Sequence, residues 1–507
     1  MAGPVLGIDL GTTNSSVAVA SDTGDVRLIP CRGTEVSLPS VVAIGAKGEE
    51  LIGYEAKRQA QLNPLQTIFG AKRILGLSAH SEIVTRMRAY APYPIETIDG
   101  DDIVIPIAGR RFRPPEISAR ILAKLREIAG SALGTAVSQA VVTVPAYFND
   151  RQRQAVHEAG RLAGLEVVRI INEPTAAAIA YSARRELHEK IAVYDLGGGT
   201  FDISVIEVRG RTLEVKSTGG DVFLGGLDFD DAVVQYILTD FQAQRGQDLR
   251  RDPVAVQRIR DMAERVKIDL STRREVPLSI PFIAQDPKGQ PINLSMIVRR
   301  EELEVLVQPL VDRTFDVCAK VIEDAGLAPE QLDQVVLVGG QTRMPLIQER
   351  IKHFFGRAPA KSVHPDEAVA AGAALFAWSL GDNSDLKYQL LDVLPMDIRI
   401  GTATGGLHPL FERNAAVPNQ RAFTFTTHRD NQPDVVMRLY QGDAPVARDN
   451  TPLGEFTFSG LRRGAAGSVR VEVVFDVSAE GMLALRARDL DTGTEMQQSV
   501  RFRAPDA

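Results

Sequence analysis

Two stretches of the chain carry the residue types that handle phosphate. Asp195-Leu-Gly-Gly-Gly-Thr-Phe-Asp202 follows an apolar run, and the alternating pattern resumes at Phe201, Ile203 and Val205. That pattern predicts strand, tight turn, strand. Gly197, Gly198 and Gly199 would let backbone N–H groups close on an anion, since no Cβ intervenes. Asp195 at the strand end repels a free phosphate, which argues for a bridging hydrated Mg²⁺ and hence a nucleotide. A hairpin that needs glycine only for its turn explains this stretch as well. The start of the chain repeats the arrangement: residues 5–19 run through Asp9-Leu-Gly-Thr-Thr-Asn14, so Asp9 and Asp195 occupy matching positions. Two phosphate hairpins are therefore expected to face one cleft.

Composition bounds the rest. At 507 residues, 44% hydrophobic and 24% charged, the chain has material for about three globular domains. The net charge of −7, without a basic block, argues against nucleic acid or an anionic membrane as main partner. Cys31 and Cys318 lack disulfide or zinc spacing, and the seven histidines lack paired ligand spacing. No eighteen-residue apolar run and no basic leader occur, so a cytoplasmic location is expected. Serine-hydrolase elbows and P-loops are absent, and the nucleotide must be held another way.

The elements that must position these tips alternate between strands and helices. Strands are predicted near residues 5–10 and 41–44, and a helix from Pro114 to about Gly130. A buried strand ends at Pro145, with Asn149 or Asp150 capping a helix to about Ala163. A strand at 167–171 then meets a helix opening at Asn172-Glu-Pro174, which puts Glu173 at a strand-to-helix junction where α/β sheets collect ligands. Asp221-Val-Phe-Leu-Gly-Gly226 supplies another glycine turn. Residues 252–270 read as a long charged helix on which Glu264, Lys267 and Ser271 form one polar stripe, by its pattern a solvated face. Residues 335–345 break at Gly339-Gly340 before a helix. A polar linker is expected over 381–392, followed by short alternating strands, for example 469–473 and 483–487, as in a β-sandwich.

With these residues in view, the chain resembles the seventy-kilodalton heat-shock chaperone family of the bacterial type, from about Val5 to Phe502. The resemblance rests on Gly7-Ile-Asp-Leu-Gly-Thr-Thr-Asn-Ser15, Val144-Pro-Ala-Tyr-Phe-Asn-Asp150, Asn172-Glu-Pro-Thr-Ala-Ala-Ala178, the 195–202 turn and Gly339-Gly-Gln-Thr-Arg-Met-Pro345. It implies an actin-like ATPase of two duplicated lobes (1–181 and 182–380), a linker (381–392) and a β-sandwich peptide-binding domain (393–507).

The resemblance also implies roles. Asp9 and Asp195 would hold Mg²⁺ through water, while Gly11, Thr12, Thr13, Asn14 and the Gly197–Gly198–Gly199–Thr200 backbone hold the phosphates of ATP or ADP, with Gly225 and Gly226 close by. Lys72 matches the family's catalytic lysine and, with Glu173, would position attacking water; Thr200 and Asp202 match residues near the γ-phosphate. Glu264, Lys267, Ser271, Gly339, Gly340 and Arg343 match adenosine contacts, against the solvated reading of the stripe, and Asp366 the adenine side. Pro145 and Arg153 match a switch toward the linker, and Arg169, Asn172 and Asp392 match positions for J-domain docking and interdomain signalling. A J-domain co-chaperone, a nucleotide exchange factor and unfolded client peptides are the implied partners.

Three departures from the family pattern stand out. Tyr388-Gln389 precede Leu390-Leu391 where the family linker is more aliphatic, so weaker interdomain docking is expected. Phe425, Val435 and Met437 keep an apolar peptide pocket, but Ala403 and His428 replace the residues that usually arch over the peptide. No helical lid follows the sandwich, so fast peptide dissociation is expected. The implied function is an ATP-dependent chaperone. A small-molecule kinase of the actin-like superfamily, an actin-like filament protein and a specialised lidless regulatory homologue remain alternatives.

Overall fold

The computed structural model describes residues 3–183, 185–381, 387–402 and 406–501. Two six-stranded sheets organise the first three-quarters of the chain, which also carries two three-stranded sheets and one two-stranded sheet among the described residues. In the first, the spatial order is Glu166–Asn172, Gln139–Val144, Val5–Asp9, Asn14–Ala20 and Val26–Leu28, with Ser37–Pro39 paired off the Asn14–Ala20 strand. In the second, it is Gln334–Val338, His188–Leu196, Phe201–Arg209, Thr212–Asp221, Gln389–Val393 and Ala416–Val417. Each sheet sets an antiparallel hairpin beside a parallel strand: Asp9 pairs Ser16 in one hairpin and Asp195 pairs Asp202 in the other. Both tips therefore emerge at strand ends, as the glycine and threonine runs predict.

The helices Glu173–Ser182 and Ala368–Leu380 lie between the two sheets and are apolar nearly all round, which marks them as core helices. Their alanines and Gly372 permit close approach: a Cβ on Gly372 would stand 1.7 Å from the Ala176 carbonyl oxygen. Local signals fix the other helix starts. Asn149 accepts from the Gln152 amide at 3.0 Å and Gln152 answers the Asn149 amide at 3.0 Å, a reciprocal cap on the Asp150–Leu162 helix. Asp252 caps Pro253–Leu270 through the Val254 and Ala255 amides. The helix that opens at Pro114 runs to Leu133, one turn beyond the expected end.

Beyond the second sheet, a five-stranded and a three-stranded antiparallel sheet pack face to face. In Arg470–Val477 the alternate residues Val471, Val473, Phe475 and Val477 are buried, so the period-2 pattern is read directly as inside and outside. The end of the expected linker is itself a strand: Gln389–Val393 pairs in parallel with Thr212, Leu213 and Glu214. An open sheet edge offers unpaired N–H and C=O groups, and a short segment with alternating side chains satisfies them.

Candidate functional site

The two glycine-bearing tips meet. A Cβ on Gly198 would lie 2.3 Å from Thr13 Oγ1, and one on Gly199 2.4 Å from Thr12 Cγ2. The carbonyls of the second tip are turned into the protein: the Gly226 amide donates to Gly197 O and the Leu227 amide to Gly198 O, both at 2.9 Å, and Arg73 Nε donates to Gly199 O at 3.1 Å. Thr13 O takes the Ser40 amide and Gly11 O the Ser40 hydroxyl, each at 2.8 Å. Among the described residues, the amides of Thr12, Thr13, Gly198 and Gly199 have no backbone or side-chain acceptor. Facing loops with paired carbonyls and free amides form an anion cradle. Gly225 backs it closely, since a Cβ there would fall 2.5 Å from the Gly199 nitrogen. Asn14, beside them, is exposed.

Below the tips the chain gathers four carboxylates around one ammonium, with Glu173, Asp195 and Asp202 buried and Asp9 half-buried. Lys72 Nζ donates to Glu173 Oε1 at 2.7 Å, with both side chains nearly fully buried. Thr143 donates to Asp9 at 3.5 Å and the Tyr147 amide to Asp202 at 3.1 Å. Burial, then repulsion from Glu173, pushes Asp9 and Asp202 each up to about 7. Asp195 is pushed well above the ordinary range by burial and by Glu173, Asp202 and Asp9. Such a cluster is short of positive charge. Among the described residues no three acidic, imidazole or thiol groups converge as a metal cage. The donor set therefore fits a cation carried through water and ligand phosphates, as Mg²⁺ prefers.

The remaining expected nucleotide residues flank the same cleft. Lys267 is not solvated: it is 8% exposed, pairs with Asp230 at 2.9 Å and donates to Gly226 O at 3.1 Å. Lys267 turns inward because Asp230, on the Gly226–Arg245 helix, offers a buried countercharge that spacing along one helix cannot reveal, while Glu264 and Ser271 stay partly exposed. Glu264 pairs with Lys57 at 2.8 Å, joining two segments 207 residues apart. Ser271 donates only to Lys267 O, at 3.4 Å. Arg343 and Asp366 pair at 2.5 Å. Gly339 has φ 82° and a virtual Cβ 2.3 Å from Leu196 O, so this turn requires glycine; Gly340 lies against Asp366.

A second constellation forms where the sandwich meets the first sheet. Arg153, 4% exposed, donates to Phe148 O and Ala146 O at 3.1 Å, bracing the turn that follows Pro145. Asn172 Nδ2 donates to Asp392 at 2.8 Å and Thr175 at 3.3 Å, while burial raises the Asp392 carboxyl. Arg153, Arg169, Asn172, Asp392 and Glu480 line one small cavity. Sequence reasoning missed Glu480, which lies in a turn cluster and accepts from His157 Nε2 at 3.0 Å and the Ile170 amide at 3.1 Å, with Arg169 at 3.7 Å. It also missed Arg413, which pairs with Asp324 at 3.1 Å and donates to Thr218 O at 3.1 Å. Neither residue carries a local signal.

The expected peptide residues are less concentrated. Phe425 and Val435 are half-buried at the edge of the sandwich core, Met437 is a core side chain, and His428 is exposed. Ala403 lies outside the described residues.

A mixed α/β unit with an amide-lined anion cradle, tied to a β-sandwich, defines a two-part protein whose first part is built to hold phosphate. The model of the Hsp70 protein family matches residues 5–505, and the chain belongs to that family. Its members are ATP-dependent chaperones that use ATP and ADP with magnesium and bind client peptides and co-chaperones. Among the described residues no helix is long and apolar enough to cross a membrane.

Proposed function

We propose that this chain hydrolyses ATP to ADP and phosphate, and uses that cycle to regulate how its sandwich holds extended apolar segments of unfolded proteins. The observation that carries this reading is the pair of facing tips with free amides set above the Lys72–Glu173 pair. Thr12, Thr13 and the Gly197 to Gly199 backbone bind the phosphates. Asp9 and Asp195 would hold Mg²⁺ through water, and the ion would supply charge neutralisation at the phosphate chain. Lys72 Nζ orients and balances Glu173, and together they hold the attacking water in line; the Asp202 carboxylate accepts its proton, and Thr200 stands beside the γ-phosphate. Lys267, Glu264, Ser271, Gly340, Arg343 and Asp366 form the adenosine wall.

In this reading residues 1–181 and 182–380 are the duplicated lobes of an actin-like ATPase, 381–392 the linker and 393–507 the peptide-binding domain. Coupling runs from Asp202 through the Tyr147 amide and the Phe148 carbonyl to Arg153, then to Asp392 and Glu480. A J-domain co-chaperone would engage the Arg169, Asn172 and Asp392 face, an exchange factor would reopen the cleft, and the setting is cytoplasmic. Steady-state ATP turnover with and without an apolar heptapeptide tests the reading. Peptide stimulation that disappears in Lys72→Ala supports it; turnover that peptide leaves flat in the unaltered chain overturns the coupling.

A further inference from the structure

A cavity of about 830 Å³ opens on the far side of Arg73 from the phosphate tips, and none of the site residues named above lines it. One wall is the Glu82–Tyr90 helix, and the other walls come from Gly226–Arg245, Pro253–Leu270 and Arg300–Asp324. Its volume suits a compact small-molecule ligand. Five arginines line it, Arg86, Arg250, Arg251, Arg260 and Arg313, against two acids, Asp228 and Asp231, so the lining carries 5 − 2 = +3. Asp228 is already paired with Arg73, while Arg313 pairs with Asp221 and Arg250 with Asp248, two acids that stand outside the lining, so Arg86, Arg251 and Arg260 are the arginines of the lining with no ion pair among the described residues.

Three observations show that this positive charge is not fully met by the protein. Arg260 is 8% exposed, and its Nε finds no hydrogen-bond partner among the described residues. The Tyr90 hydroxyl, whose ring lies 4.5 Å under the Arg260 guanidinium, is likewise buried without a partner. Arg86 is exposed and spends its guanidinium face on the Phe223 ring at 4.1 Å, with no ion pair among the described residues, which leaves its N–H edge for a ligand. A buried donor without an acceptor is destabilising, and the cost is recovered when an acceptor arrives. Planar guanidinium forks match phosphate oxygens two at a time, which an ammonium cannot do.

We propose that this arginine-lined cavity is a second anion site, distinct from the nucleotide cleft, that takes a compact polyanion bearing phosphate groups. The concave shape and the aromatic floor of Tyr90 and Phe223 favour a small phosphorylated molecule over an acidic peptide, which would run along an open groove. The site draws on both sides of the fold, Arg86 and Tyr90 from one and Arg250, Arg251 and Arg260 from the other. Arg260 also lines a pocket shared with Thr12, Thr13, Lys57 and Glu264, so occupancy is adjacent to the cleft without entering it.

Calorimetric titration of sodium tripolyphosphate into the full chain, in metal-free low-salt buffer, tests this. The unaltered chain and Lys72→Ala, which strips the cleft of its ammonium, are both expected to bind with similar affinity at this site. Arg86→Glu/Arg251→Glu, at two exposed positions, is expected to weaken that binding at least tenfold with an unchanged thermal midpoint, and Arg86→Lys/Arg251→Lys to weaken it less. Unchanged binding in the charge-reversed variant, or its loss in Lys72→Ala alone, overturns the proposal. So does hexaglutamate binding as tightly as tripolyphosphate, which would assign the cavity to acidic peptide.

Discussion

Asp150 Oδ1 accepts the Leu483 amide at 2.8 Å, although 333 residues separate the two. The Asp150 amide in turn donates to Gln441 Oε1 at 3.2 Å, so one residue in the first turn of a helix clasps two strands of the sandwich. Burial pushes the Asp150 carboxyl up to about 6 from 3.8, more than the Leu483 amide, Arg153 and Arg151 pull it down. Where undocking returns this carboxyl to water and to its free value, the docked state binds the proton more tightly than the undocked state. Its contribution to docking is fully present below the free value and is lost as pH rises through about 6, by at most about 3 kcal/mol. Energy transfer between labels on the sandwich and the first sheet should therefore report weaker docking at pH 7.5 than at pH 5.5. Asp150→Asn keeps the acceptor and removes the titration, so its docking should be flat across that window. Glu480, whose carboxyl lies below its ordinary value, acts at lower pH and does not offset the effect.

The Lys72–Glu173 pair should separate two roles. Lys72→Met leaves Glu173 buried among Asp9, Asp195 and Asp202 without its cation, and breaking a buried pair costs about 3–5 kcal/mol. Part of that is recovered when the carboxylates take up protons, so denaturant unfolding without nucleotide should show a smaller loss at pH 5 than at pH 8. Hydrolysis should fall at least 100-fold in Lys72→Met and in Glu173→Gln, measured by single-turnover phosphate release. Glu173→Gln retaining full hydrolysis would remove Glu173 from the water-positioning role.

Gly225 is extended at φ −172°, so alanine fits its backbone, but the added Cβ would meet the Gly199 nitrogen and the Gly198 carbonyl carbon. Gly225→Ala should displace the phosphate tip and lower ADP affinity at least tenfold while leaving the fold in place. Gly246, at φ 68° with open space around it, gives the opposite profile. Gly246→Ala should cost about 1 kcal/mol of stability and leave affinity untouched. Fluorescent-ADP titration beside thermal unfolding distinguishes the two.

What could be read from the chain alone was whatever is encoded within a few residues. The Asp-Leu-Gly tips, the proline and asparagine helix starts, and the alternation of residues 470–477 all carry their meaning in local spacing. The solvated reading failed for Lys267, because burial of a lysine depends on a carboxylate from another helix, here Asp230, whereas Glu264 stays partly exposed. Lys72 has no local signal at all; the family resemblance supplied it. Either Asn149 or Asp150 was open as the helix cap. Asn149 takes that role, which leaves the Asp150 carboxylate for the sandwich. Met437 joins the core because it lies on the inward face of its strand, between the exposed Val436 and Arg438, with its side chain among the buried residues of the sandwich.

Glu480 offers the sharpest test of how the sandwich is held. Its carboxylate accepts from His157 and the Ile170 amide and stands near Arg169, three groups from two elements that strand pairing alone does not join to the sandwich. Hydrogen bonds to a charged group contribute about 1.5–3 kcal/mol each where they are shielded. Glu480→Ala should shift the docked-to-undocked ratio by at least tenfold, and amide hydrogen exchange at Ile170 should accelerate because its acceptor is gone. His157→Ala alone should have a smaller effect, and the double variant should fall short of the sum, since both remove the same contact. Additive effects in that cycle would mean that Glu480 holds the interface through Ile170 and Arg169 without His157. Unaltered exchange at Ile170 in Glu480→Ala would mean that the contact does not persist in solution.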